Sequence, residues 1–306
     1  MDIFFNLLIK LIPLYCLICL GYIAARRLQA QKETVAKLLI YIIAPAVVFY
    51  GTYTAKLDLA HLSLPILFFA LGTLSALVFL GIGSWIYPND STKNILAFAA
   101  GTGNTGYFGL PLVLALLGDA AFSVTVLMIM GVVFFENTIG FFLTAKGHHT
   151  VKESVVKVVR LPSVYAFVLG ILLNIAGVHL GETLVITIGY FKGAYTLLGM
   201  MIIGMGLTTV TVKHIDKTFI GLALLAKFIF WPAVIMGIIA IDKAVFHIYT
   251  PAIYSILTLM SIVPLAANTV SVATELNVHP DKAAVAVLLS TLFALFYIPL
   301  IVTLFL

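Results

Sequence analysis

Long uninterrupted apolar runs limit the fold of this chain more than any other feature. Ten follow one another, over residues 3–25, 35–53, 62–86, 94–117, 120–145, 163–178, 193–212, 218–241, 252–274 and 283–305. A helix needs about 20 mostly apolar residues to cross the hydrocarbon core of a bilayer. A membrane β-strand would alternate apolar and polar residues with period two, and these runs do not. Composition points the same way. Of 306 residues, 62% are hydrophobic and only 9% are charged, against about 25% charged in soluble domains. The chain reads as an all-α integral membrane protein of ten transmembrane helices, spans 1 to 10. The first run has no basic segment before it and no cleavage pattern after it, so it reads as a retained helix. Residues 184–191 are read either as interfacial or as an extension of span 7. Cys16 and Cys19 lie inside span 1 and read as buried free thiols.

The few charges orient the spans. Odd-numbered connections hold Arg26, Arg27, Lys32, Lys37, Lys93, Lys146, Lys152, Lys157, Arg160, Lys213, Lys217 and Lys282. Even-numbered ones hold Lys56, Lys192 and Lys243, while Lys10 and Lys227 fall inside spans. Basic connections stay in the cytoplasm, so both termini face outward. The basic connection 146–162, read as a short amphipathic helix on the inner leaflet, divides the chain into halves 1–145 and 163–306. Each half has five spans, an odd number, so the halves enter the membrane from opposite sides. That is the inverted repeat of many secondary transporters.

Span 4 carries an unusual polar interruption, Gly101-Thr-Gly-Asn-Thr-Gly-Tyr-Phe-Gly-Leu-Pro111. Glycine and proline weaken helices. Backbone groups freed within a membrane must then be satisfied by protein or cavity water. Span 9, the corresponding element of the second half, holds Pro264 followed by Asn268-Thr269. Paired interruptions in corresponding positions point to a transport site, where helix ends and amides replace a solute's hydration. Close packing of small residues in span 4 and an ordinary proline kink in span 9 are the plainer readings. The match of 101–106 to Gly-x-Gly-x-x-Gly has no preceding strand, so it does not indicate a dinucleotide site.

Asn104-Thr-Gly-Tyr-Phe-Gly-Leu-Pro111 resembles the Asn-Thr-x-x-x-Gly-[Ile/Leu]-Pro signature of the auxin efflux carrier family, which includes the plant PIN proteins and many bacterial carriers. Glu275-Leu-Asn-Val-His-Pro-Asp281 is similar to a PIN stretch, and Ala44-Pro45 resembles the family's proline in span 2. The resemblance implies a fold like that of bile-acid sodium symporters and the antiporter NhaA, in which broken spans 4 and 9 cross. It also implies elevator-type alternating access, a scaffold of spans 1, 2, 6 and 7, a transport core of spans 3–5 and 8–10, and a homodimer. By that carry-over, Asn104, Thr105, Gly106, Pro111, Pro264, Asn268 and Thr269 bind the substrate, a small organic anion. Bacterial relatives are associated with malate, malonate or similar carboxylates. The residues preceding Pro264 differ from the Pro-Gln of plant members, so nothing here selects auxin.

Two charges remain at membrane depth. Glu136, followed by Asn137, lies ten residues before Lys146, and Lys227 lies ten residues after Lys217. Ionisable groups at that depth are functional by default. The expectation is that Glu136 pairs with Lys227, or that Glu136 titrates during transport; a structural ion pair or a protonated buried acid is the plainer reading. Proton and sodium coupling both remain open. Lys10 can snorkel outward. His148-His149 reads as a solvated pair, and the other histidines lack metal-ligand spacing. Met200, Met201 and Met205, with Gly199, Gly204 and Gly206, read as close packing of span 7 or as a dimer interface. The expected function is secondary transport of small organic anions across a bacterial cytoplasmic membrane, with a channel or facilitator as the alternative. No cofactor, metal, catalytic residue or nucleic-acid partner is expected. The absence of a Walker motif excludes a primary pump built from this chain alone.

Overall fold

In a computed structural model, described at residues 2–145, 156, 159–208 and 215–305, no strand occurs among the described residues. The helices are α1 (Asp2–Arg27), α2 (Lys32–Tyr53), α3 (Leu59–Ile86), α4 (Thr92–Gly101), α5 (105–117), α6 (Asp119–Ala145) and α7 (Pro162–Ile175). They continue with α8 (Glu182–Leu207), α9 (Lys217–Phe246), α10 (Pro251–Ser261), α11 (Asn268–Glu275) and α12 (Pro280–Phe305). Seven of these are long and apolar enough to cross a membrane, namely α1, α2, α3, α6, α8, α9 and α12. The chain is an all-helical membrane protein. Spans 4 and 9 are each split in two, as α4/α5 and α10/α11, and α7 is a short apolar helix. Residues 184–191 belong to α8, which carries Lys192 inside it rather than in a connection. Lys192 is tied to Asp119 at 2.6 Å. Most of the expected amphipathic connection, including Lys146, His148, His149, Lys152 and Lys157, falls outside the described residues, as do Lys213 and His214.

Three helices widen to a π-turn just before a proline. Leu39–Ile43 precedes Ala44-Pro45, Thr105–Gly109 precedes Leu110-Pro111, and Ala226–Phe230 precedes Trp231-Pro232. The cause is local. Proline has no N–H to offer the carbonyl four residues back, and its ring crowds that carbonyl, so the preceding turn opens to the rarer i→i+5 pattern. In α9 the carbonyl four before Pro232 is that of Phe228. It accepts a hydrogen bond from the Tyr297 hydroxyl of α12 at 2.6 Å.

The chain divides into two compact units. The first comprises Met1–Ser63, Gly106–Leu127 and Val158–Thr209. Within it, α1 packs along α8, and glycines set the spacing. A Cβ on Gly21 would strike the Met201 backbone, and one on Gly204 would strike the Ile18 carbonyl. Of the span-7 glycine and methionine cluster, Gly204 and the Met201 backbone therefore pack against α1. Asn174 of α7 donates to the Thr52 and Ala55 carbonyls at 3.1 and 2.7 Å, satisfying the end of α2. Cys16 and Cys19 are free, as expected, but exposed rather than buried, because they sit on the outward side of α1 and not on the side packed along α8.

The second unit comprises Leu64–Thr105, Met128–Lys157 and Val210–Leu306. Its core joins Phe79, Ile95, Phe98, Phe219, Ala223, Leu265 and Ala286. At one end of it, polar side chains tie three connections together. Lys282 reaches Asp216 at 2.9 Å, the Tyr87 hydroxyl donates to Asp216 at 3.0 Å, and His279 reaches Asp90 at 2.7 Å. Asp216 also caps α9 by accepting from the Phe219 N–H. Burial works against ionising Asp216. The Phe219 N–H, the Lys282 ammonium and the Tyr87 hydroxyl outweigh it and hold the carboxyl below the usual range. Burial, and then the bond to Asp216, push the Tyr87 hydroxyl up to about 12. The motif Glu275–Asp281 supplies this end with its turn. Asn277 adopts φ +51° just past α11, and the Val278 N–H closes back on the Ala273 carbonyl at 2.8 Å. That is the usual way to satisfy the last carbonyls of a helix.

Candidate functional site

Both interruptions lie in this second unit as far as Thr105, and the structure joins them. α4 stops at Gly101, and Thr102 is extended at φ −119° and ψ 168°. The carbonyls at the end of a helix need new partners. Here Ala100 receives two, the Ser75 hydroxyl at 2.7 Å and the Trp231 indole N–H at 2.7 Å. Gly72 and Gly101 allow α3 and α4 to touch, because a Cβ on Gly72 would lie 2.6 Å from the Gly101 carbonyl oxygen. In the second interruption, residues 262–267, the Leu265 N–H donates to the Ser290 hydroxyl of α12 at 3.1 Å. The two interruptions meet where the Asn104 N–H donates to the Pro264 carbonyl at 2.8 Å. A strand-like bond thus replaces what each broken helix lost.

The two membrane-depth charges attach to these interruptions separately. Each sits in a π-turn, Glu136 in Glu136–Gly140 and Lys227 in Ala226–Phe230. Glu136 is buried. It accepts from the Thr102 hydroxyl on one oxygen and from the Asn268 amide on the other, the latter at 2.8 Å. Lys227 is fully buried, and its ammonium stands 3.6 Å from the centre of the Trp231 ring. A Cβ on Gly103 would fall on the Lys227 Nζ. The expected Glu136–Lys227 ion pair is therefore not formed: among the described residues, Lys227 Nζ has no hydrogen-bond partner. Equal depth on two helices did not bring the side chains to one another. Each instead meets a neighbouring residue of the first interruption. The helix ends suit this arrangement, with the cation beside the C-terminal end of α4 and the acid bonded to the first residue of α11.

The remaining candidates sort as follows. Asn104 is buried, and its side-chain Nδ2 is unpaired. Thr269 is buried in the first turn of α11, and its hydroxyl is unpaired. Asn268 commits its amide N–H to Glu136. Asn137 turns back to the Val133 carbonyl of its own helix at 2.9 Å and does not join the group. Thr105 is buried and opens the π-turn of α5. Gly106 and Pro111 fall in the first unit, where a Cβ on Gly106 would meet the Tyr195 hydroxyl at 2.5 Å. Sequence reasoning missed Thr102, Ser75, Trp231 and Ser290. Thr102 stood beside the motif, and Trp231 stood four residues after Lys227, hence on the same helix face. Ser75 and Ser290 had no such signal. Among the described residues, no three His, Cys, Asp or Glu side chains gather as a metal site would need.

The description "Membrane transport protein" matches residues 6–302. The chain belongs to that family. It is the auxin efflux carrier family that residues 104–111 resemble. A Methanothermobacter thermautotrophicus protein named "Uncharacterized transporter" is 24% identical over 89% of this chain and 88% of its own length. A Rhizobium meliloti protein named "Putative malonate transporter" is 26% identical over 92% of this chain and 90% of its own. Family and relatives alike are transporters, and this membrane transport protein is not an enzyme.

Proposed function

We propose that this chain is a secondary carrier of small organic anions, carboxylates of the malonate or malate kind, in a bacterial cytoplasmic membrane. The observation that carries the reading is the junction of the two interruptions. There the Asn104 N–H holds the Pro264 carbonyl, and two buried donors on the same segments, Asn104 Nδ2 and Thr269 Oγ1, are unpaired. Buried polar groups are rarely left so. A carboxylate is a natural acceptor for such donors, and the N-terminus of α11 adds a favourable field. Pro264 keeps the second interruption non-helical, so its carbonyl stays available to Asn104. Asn268, fixed on Glu136, orders the start of α11.

In this reading the chain has ten spans in two inverted repeats, with both termini outside. Spans 3–5 and 8–10 carry the site and move against spans 1, 2, 6 and 7 in a homodimer. Two compact units support a division of labour of this type in part: the second holds most of span 3, the first half of span 4, most of span 5 and residues 210–306, whereas Gly106–Leu127 groups with the first. The family and the name of the Rhizobium meliloti relative support the substrate class. The test is uptake and counterflow of labelled malonate in proteoliposomes, with proton and sodium gradients varied separately. Saturable uptake with counterflow is expected, and Asn104→Ala and Asn268→Ala should each weaken it while the purified proteins keep a cooperative melt. Non-saturating flux without counterflow would make the protein a channel. Unchanged malonate affinity in both variants would remove the site from this position.

A further inference from the structure

Among the described residues, Lys227 carries the unpaired buried polar group that the proposed anion site does not yet use. It is fully buried, on the π-turn of α9, with its ammonium against Gly103, the residue before Asn104. A buried ammonium is costly unless it is paired and hydrogen-bonded. The protein supplies this one with a ring face but with no acceptor. Glu136, the acid at comparable depth, is occupied by Thr102 and Asn268. Trp231 cannot turn freely, because its indole N–H is held on the Ala100 carbonyl and its ring packs edge-on to Phe68 at 6.1 Å. The ring thus keeps the ammonium at the first interruption.

Among the described residues, three buried side-chain polar atoms lack a partner: Asn104 Nδ2, Lys227 Nζ and Thr269 Oγ1. All three can donate, and an ammonium or an amide NH2 can only donate. A sodium ion needs oxygen ligands, and two of these three atoms, the Lys227 ammonium and the Asn104 amide nitrogen, cannot supply them. We infer that Lys227 is a substrate-binding residue, whose ammonium takes one ionised carboxylate together with the Asn104 amide. The inference rests on the anion-carrier reading and adds to it the charge that holds the substrate. It makes one carboxylate group per substrate the unit of recognition, and it makes neutral isosteres poor ligands. A site built to hydrogen-bond a group rejects analogues that lack it, because its own buried donors then go unpaired. Trp231 is a positioning residue.

The test uses the full chain in detergent with malonate as probe and malonamide as its neutral counterpart. Trp85→Phe leaves Trp231 as the one indole, since the chain has two tryptophans, and Trp85 is exposed. Malonate should then change the Trp231 emission as the ammonium leaves the ring face, and malonamide should not. Lys227→Met should weaken malonate binding about tenfold or more and abolish the emission change. Its ligand-free melting temperature should be equal or higher, because an unpaired charge is gone. Gly103→Ala keeps the lysine but displaces its flexible end, and should also weaken binding. It decides the matter if the methionine variant does not fold. Malonate binding within twofold of the parent in Lys227→Met, or in Gly103→Ala alone, would overturn the role of Lys227. If Asn104→Ala still lost binding in that case, the anion site would stand without it. Failure of the parent protein to bind or transport malonate and other C3–C6 carboxylates would overturn the carrier reading and this inference together.

Discussion

Phe228 shows how a single residue's chemistry propagates. Pro232 denies its carbonyl the helical partner, and Tyr297 supplies a hydroxyl 69 positions away in sequence. The rings of Phe228 and Tyr297 also meet, with centroids 4.9 Å apart, and Phe293 adds a second edge contact at 4.8 Å. Tyr297→Phe keeps the rings and removes only the hydroxyl. An unsatisfied buried carbonyl costs about 1–3 kcal/mol, so the variant should melt at lower temperature in detergent. An unchanged midpoint would mean that the carbonyl finds another donor. The proline was legible in sequence, and so was the freed carbonyl. Its rescuer was not, because nothing local relates residue 228 to residue 297. The same limit explains Lys227 and Glu136. Counting residues placed both at similar depth, but depth is one coordinate of three, and the faces they occupy depend on how α6 and α9 pack.

At the scale of elements, glycine spacing decides how closely helices approach. α1 and α8 touch backbone to backbone at Gly21 and Gly204. Gly204→Val would drive a branched side chain into the Ile18 carbonyl. It should abolish the cooperative melt or sharply lower the yield of folded protein. Gly189→Ala on the same helix is the control. Nothing lies within 4 Å of its added Cβ, and alanine is the better helix former by about 1 kcal/mol, so its melt should be unchanged or slightly higher. The sequence marked the glycines of α8 but left open whether they served this chain or a second copy. Contact with α1 shows that Gly204 and the Met201 backbone serve this chain. The interruptions were legible as well, because four glycines and a proline cannot propagate an α-helix through Gly101–Pro111. The Asn104–Pro264 bond between them joins two elements 160 residues apart and was not legible.

The charges of the whole molecule divide into two populations. Most cations of the described residues lie near helix ends, such as Arg26, Arg27, Lys32, Lys93 and Lys217, and a few join acids at one end of the second unit. Asp216, bonded to Lys282, Tyr87 and the Phe219 N–H, is held below its usual carboxylate range. A depressed folded-state value stabilises the fold at any pH above the unfolded value, near 3.9. That contribution is lost as pH falls through the lower folded value. The melting temperature should therefore be insensitive to this group between pH 7 and 5, and should fall below about pH 4. Asp216→Ala should melt lower at pH 7, through loss of the α9 cap worth about 1 kcal/mol and of the Lys282 bond. It should also show a shallower acid decline. Equal acid slopes in the two proteins would place the pH dependence elsewhere.

The sequence by itself determined the solvent, the helical class, the position of both interruptions and, through residues 104–111, the family. These follow from local composition and spacing, since an apolar run or a broken helix needs no distant partner to be recognised. Tertiary structure alone decided which buried groups are satisfied. It gave Glu136 to Thr102 and Asn268, closed Asn104 onto Pro264, and left the Lys227 ammonium on a tryptophan face without an acceptor. Hydrogen bonding inside a membrane is settled by geometry within about 3 Å, and the helices that must come so close are far apart along the chain.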